Sequence, residues 1–75
     1  MRNNFPSREI IEELRKKYPK GTRVKLIQMK DEPFPIEVGT LGVIEHIDDM
    51  GTIFVNWENG RGLGLAYGKD EFQVI

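Results

Sequence analysis

The spacing of apolar residues changes once along this chain. Between Ser7 and Tyr18, the residues Ile10, Ile11, Leu14 and Tyr18 recur at intervals of three and four, which puts them on one face of a helix. Ser7 suits the N-cap, because its hydroxyl can accept from an unpaired amide of the first turn. Glu9 stands near the positive end of the helix dipole, and Arg15, Lys16 and Lys17 near the negative end. Pro19 pushes Tyr18 out of helical geometry and Gly21 completes the stop. The predicted helix occupies 5–20, with Phe5 packing back onto the apolar face. About three turns are marginal in isolation, so the helix needs a surface to dock on.

From Thr22 the period becomes two. "TRVKLIQM" reads as a first strand with Val24 and Leu26 on one face, Arg23 and Lys25 on the other. "KDEPFPIEVG" is a long loop, since Pro33 and Pro35 exclude an interior strand. "TLGVIEHID" is a second strand, read with Leu41, Val43 and Ile47 on one side. "DDMG" is a tight turn in which Gly51 can take positive φ. "TIFVNW" is a third strand, with Ile53, Val55 and Trp57 on one side. "ENG" marks another hairpin, "RGLGLAY" a fourth strand, "GKDE" a single helical turn and "FQVI" a short closing strand.

Five short strands in some 55 residues cannot bury a face while staying flat. The expected architecture is a mainly β single domain over 1–75: an N-terminal helix (5–20) packed against a small, partly open five-stranded SH3-like barrel (21–75). An OB-fold fits less well, because it needs a helix where only "ENG" is available.

Composition narrows the picture. Apolar residues at 39% and charged residues at 31% read as soluble and globular. With no cysteine, neither a disulfide nor a thiolate metal site supplements the core. No apolar run reaches the ~18 residues of a membrane span and no signal peptide is visible, so a cytoplasmic location and no membrane partner are expected. Net charge is −1, but residues 1–30 carry nine bases against three acids and residues 31–75 two against nine. The expectation is that these segments interleave in space and largely cancel.

The stretch "NGRGLGLAYGKD" imitates a phosphate loop without meeting its spacing. A P-loop requires a glycine five positions before Gly68, where Leu63 stands, and a hydroxyl residue after Lys69, where Asp70 stands. A dinucleotide fingerprint requires glycine at Tyr67. With period two, Gly60, Gly62, Gly64, Ala66 and Gly68 share one face, opposite Arg61, Leu63, Leu65 and Tyr67. A face stripped of side chains implies close approach of something to the backbone. The expected cover is the chain's own N-terminal helix, with Phe54 or Trp57 as other covers and a partner's backbone or ring as the functional alternative.

Catalytic candidates are sparse. His46 is the sole histidine and reads as an ordinary strand residue, and Ser7 is the sole serine. Asp48 and Asp49 sit in a turn, where aspartate serves local backbone bonds. No nucleophile–base pair and no calcium-loop pattern is present, so no enzyme, metal or cofactor is expected. The binding candidates are Phe34, Trp57, Arg61 and Tyr67. Trp57 shares its register with Ile53 and Val55, which also suits the core. Phe34 lies in a loop with Asp31, Glu32 and Glu37, and an acidic loop beside Trp57 could receive a basic or proline-rich peptide. Arg15, Lys16, Lys17, Lys20, Arg23 and Lys25 could contact phosphates, without interleaved aromatics to read bases.

The run from Gly21 to Phe72 resembles the domain-of-unknown-function 4314 family of short bacterial and phage proteins. The resemblance rests on Gly21 with Val24 and Leu26, Gly39-Thr40-x-Gly42, Asp48, Trp57-x-Asn59-Gly60, Leu63-x-Leu65 and Gly68-x-Asp70. It implies an accessory protein of a phage or mobile element and carries over no functional residue. The expected function is therefore a non-catalytic, protein-binding interaction module. The alternative is weak, sequence-independent nucleic-acid binding through the basic helix and first strand.

Overall fold

The switch of period marks where helix gives way to sheet. In the computed structural model, which describes residues 6–30 and 32–75, the chain forms α1 (Arg8–Lys17), β1 (Arg23–Gln28), β2 (Leu41–Ile47), β3 (Thr52–Trp57), β4 (Gly62–Ala66) and β5 (Glu71–Val74). The Ser7 hydroxyl accepts from the Ile10 amide at 3.3 Å, as an N-cap should. Tyr18 leaves helical geometry ahead of Pro19, its amide still bonded to the Leu14 carbonyl. Phe5 lies outside the described residues, as do Arg2 and Asp31. "GKDE" forms a hydrogen-bonded turn that leads into β5, with the amides of Lys69 and Asp70 both bonded to the Ala66 carbonyl.

All neighbouring strands are antiparallel, in the order β4-β3-β2-β1-β5. Five strands, the β2–β3 and β3–β4 hairpins and one helix among the described residues match the expectation of a mainly β fold. The sheet is open: β4 and β5 are its edges and do not pair with each other. Between the two ends of the sheet the Asp70 carboxylate accepts from the Lys30 amide at 2.7 Å and from the Ala66 amide at 2.8 Å. One side chain thus ties the end of β4 to the segment leaving β1.

The inward face carries Val24, Leu26, Ile44, Ile47, Ile53, Val55, Trp57 and Leu65, joined in one core by Ile11 and Leu14 of α1 and by Ile36 of the long loop. Residues flanking α1 hold its ends: Pro6 packs on Gly51 of the β2–β3 turn, and the ring of Tyr18 meets Phe72 of β5 edge-on at 5.1 Å. Nε and Nη2 of Arg15 donate to the Ile47 carbonyl at 3.0 and 2.9 Å, and Nη2 also pairs with Asp49. Bases from the first half of the chain therefore meet acids from the second. Lys20 likewise approaches Glu45, at 4.0 Å.

Two expectations about faces are corrected. In β2 the inward residues are Gly42, Ile44 and Ile47, while Val43 points out. The register slips between Ile44 and His46, a β-bulge at Glu45 that a strict period of two cannot anticipate. Gly42 faces inward because Trp57 lies across it: a Cβ there would stand 2.8 Å from the indole and 2.5 Å from Val55 Cγ1.

The second correction concerns the glycines. Gly60 and Gly68 belong to turns at φ +89° and +85°, not to the strand face. Gly64 pairs with Phe54, and Leu65 with the inward Ile53, so Gly64 faces away from the core that α1 covers. A Cβ on Gly64 would meet Thr52 Cγ2 at 2.5 Å and the Phe54 ring at 3.5 Å. The smooth face is thus overlain by side chains of the neighbouring strand, not by the helix. Gly62 differs, for a Cβ there would meet nothing closer than Asn56 Oδ1 at 3.9 Å. Gly62→Thr is therefore expected to stabilise the protein by about 0.5 kcal/mol through strand propensity and a smaller unfolded ensemble. Gly64→Thr is expected to cost about 1–2 kcal/mol by overpacking. Urea midpoints check both, and equal effects of the two substitutions would contradict this account of the strand.

Candidate functional site

The four candidate contacts fall in three places. Trp57 is only 3% exposed, and its Nε1 donates to the Leu63 carbonyl at 2.9 Å. It is a core residue, because its period-two register with Ile53 and Val55 points inward, and it offers no ring to a partner. Phe34 is 75% exposed at the tip of the long loop, where Ile36, not Phe34, is the residue that anchors into the core. Arg61 stands nearby, with Nη1 at 3.5 Å from the Pro35 carbonyl. Tyr67, 49% exposed, follows β4 at its other end, about 20 Å along the chain from Arg61. Phe34 and Arg61 thus share a corner that does not include Tyr67.

Tyr67 instead faces the helix. Between α1 and the β4–β5 turn runs an open groove of about 630 Å³, with Ile10, Leu14 and Tyr18 on the helix side and Tyr67 opposite. It continues past the shared Tyr18 and Tyr67 into a depression of about 370 Å³ reaching Ile27 and Phe72. Local sequence explains each wall. Leu14 and Tyr18, one turn apart, present the helix edge. Positive φ at Gly68 turns the chain after Tyr67, and Asp70 fixes that turn through the Ala66 amide. Ile10, 39% exposed, and Ile27 leave apolar surface open along the groove. Its helical rim carries Glu9, Glu12 and Glu13 in the first half and Lys16 and Lys17 in the second, and Lys17 Nζ lies 5.4 Å from the Tyr18 ring centroid.

Ile10 is the groove residue that sequence reasoning passed over. The signal was present: Ile11 and Leu14 suffice to seat α1 on the sheet, while Ile10 stands about 100° around the helix from Ile11 and widens the apolar arc beyond the seat. His46 is a strand residue of β2, as expected. Its ring stacks on Phe54 at 4.7 Å across β2 and β3, outside the bulge.

The basic set does not gather into one patch. Arg15 is turned to the β2–β3 turn, Lys16 and Lys17 line the groove, and Lys20 lies beside Glu45. Arg23 and Lys25 sit on the outward face of β1. Asp48 serves its turn, its carboxylate accepting from the amides of Met50 and Thr52, both at 2.9 Å. Among the described residues no group of three or more His, Cys, Asp or Glu is placed to hold a metal ion. No helix among them is long and apolar enough to cross a membrane.

A family model described as Domain of unknown function (DUF4314) matches residues 7–75. No curated protein matches the chain.

Proposed function

Since the chain belongs to the DUF4314 family, whose description assigns no activity, we propose a function from the site alone: a non-catalytic interaction module that contacts a protein partner through the groove between α1 and the β4–β5 turn. One observation carries this reading. Ile10, Tyr67 and Ile27 are left half-exposed around two adjoining depressions that share Tyr18 and Tyr67, on a fold whose other apolar helix positions, Ile11 and Leu14, are buried. A small domain that leaves large side chains clustered beside charged ones has the composition of a contact surface. The non-catalytic part is supported by the uses already found for the reactive residues: Ser7 caps α1 and His46 stacks on Phe54. An accessory role in a phage or mobile element belongs to the same proposal, and neighbouring genes of another kind would count against it.

The test is an affinity capture from source cells with wild-type protein, Tyr67→Ser and Ile10→Ser, and with Lys25→Ser as a control on the opposite face. The expected result is a discrete partner that both groove variants lose and the control retains. A partner retained by both groove variants would move the contact surface elsewhere. Nucleic-acid binding through Arg15, Lys16, Lys17, Lys20, Arg23 and Lys25 has less support, because the set is dispersed and Arg15 is engaged. Single- and double-stranded oligonucleotides are expected to give no shift at low salt. A complex whose affinity falls steeply with salt would restore that reading.

A further inference from the structure

We propose that the groove's occupant is a second copy of this chain, docked with its α1 antiparallel to the first across a two-fold axis; this rests on the groove being a protein contact surface. The argument is one of charge order. Of the helix's charged residues, Arg15 is turned to Ile47 and Asp49, and Glu12 pairs with Arg8 at 3.8 Å. The groove rim carries Glu9, Glu12 and Glu13 in the first half of α1 and Lys16 and Lys17 in the second, and of these Glu9, Glu13, Lys16 and Lys17 are in no ion pair among the described residues. A rim of one sign would fit any partner of the other. A rim divided end to end fits a partner divided in reverse at the same spacing, and this chain, turned over by a two-fold axis, supplies that pattern.

In the antiparallel arrangement Glu9 and Glu13 of each copy come against Lys16 and Lys17 of the other, so every favourable approach is made twice. Ile10 stands between Glu9 and Glu13 in the acidic half, so it comes against the basic half of the other copy, and with Tyr67 it adds half-exposed apolar surface beside each charged contact. Opposed helix dipoles add in the same sense. Acids early and bases late also suit a helix's own dipole, so the test must separate pairing between copies from helix stability.

A charge swap does so. Variant one carries Glu9→Lys and Glu13→Lys; variant two carries Lys16→Glu and Lys17→Glu. Variant one leaves the rim basic except for Glu12, which pairs with Arg8, and variant two leaves it wholly acidic, so each repels itself and attracts the other. In sedimentation equilibrium at low salt, the wild type is expected to show a reversible dimer, and each variant alone to dimerise at least about tenfold more weakly. Their equimolar mixture is expected to regain a dimer, and Ile10→Ser in both is expected to abolish it. Circular dichroism verifies that each variant keeps its helix. The proposal is overturned by a wild type that stays monomeric at roughly 1 mM, by variants that dimerise as the wild type does, by a mixture that fails to associate, or by a mixture indifferent to Ile10→Ser. If the wild type is monomeric while a different protein is captured through Ile10 and Tyr67, the groove reading stands and the second copy is wrong.

Discussion

Trp57→Ala is expected to destabilise the protein by about 3–5 kcal/mol, the cost of deleting a buried aromatic side chain. The indole is packed across Gly42 within the core, and its N–H bonds to the Leu63 carbonyl. A chain of this length has only about 4–11 kcal/mol of total stability to lose, so a large unfolded fraction at 37 °C is expected. Trp57→Phe keeps part of the packing and forfeits the hydrogen bond, and is expected to cost roughly half as much. Chemical denaturation followed by far-ultraviolet circular dichroism measures both. A loss below about 1 kcal/mol for Trp57→Ala would show that the ring is not part of the core. Trp57 variants are thus unsuited to binding assays, where lost binding would only report lost structure.

The second large effect is expected at Asp70. Its carboxylate accepts from two backbone amides that belong to segments 36 residues apart, Lys30 and Ala66. Hydrogen bonds to a charged group contribute about 1.5–3 kcal/mol each where shielded, and less where water competes. Asp70 is half-buried, so Asp70→Ala is expected to cost about 2–3 kcal/mol in total. Asp70→Asn retains one acceptor oxygen and is expected to recover part of that. Because the sheet is open, this clasp is local, so amide hydrogen exchange is expected to accelerate most at Lys30, Ala66 and the turn between Tyr67 and Asp70. Uniform acceleration across β2 and β3 instead would mean that Asp70 holds the whole sheet and not its edges.

How much of this was legible in the sequence depends on how local each determinant is. The helix, its cap, the five strands and the turns around Gly51, Gly60 and Gly68 rest on periodicity and on φ requirements within a few residues, and they appear as expected. The face of β2 did not, because the bulge at Glu45 is set by pairing with β3. Of the covers expected on the glycine strand, Phe54 is present and the favoured helix is not, for a related reason. A bare strand face says that something lies close, but only the β3–β4 register shows that it is Thr52 and Phe54. How far the expected, partly open barrel closes is also a long-range property, and the strand order leaves β4 and β5 as open edges. In the candidate site, Tyr67 was legible as a large residue beside a turn. Trp57 was legible as a core residue from its register with Ile53 and Val55, although it also stood among the contact candidates, and the pairing of Tyr67 with Ile10 required the placement of α1.

The central claim is that the protein meets its partner through the groove between α1 and the β4–β5 turn. Its most direct test is site-specific photo-crosslinking in cells. A photoreactive side chain replaces Tyr67 or Ile10 in the groove, or Gly62 or Lys25 on the outward sheet face. The expected result is a discrete protein adduct from positions 67 and 10, none from 62 and 25, and loss of the position-67 adduct when Ile10→Ser is added. Adducts from 62 and 25 with silence at 67 and 10 would contradict the account.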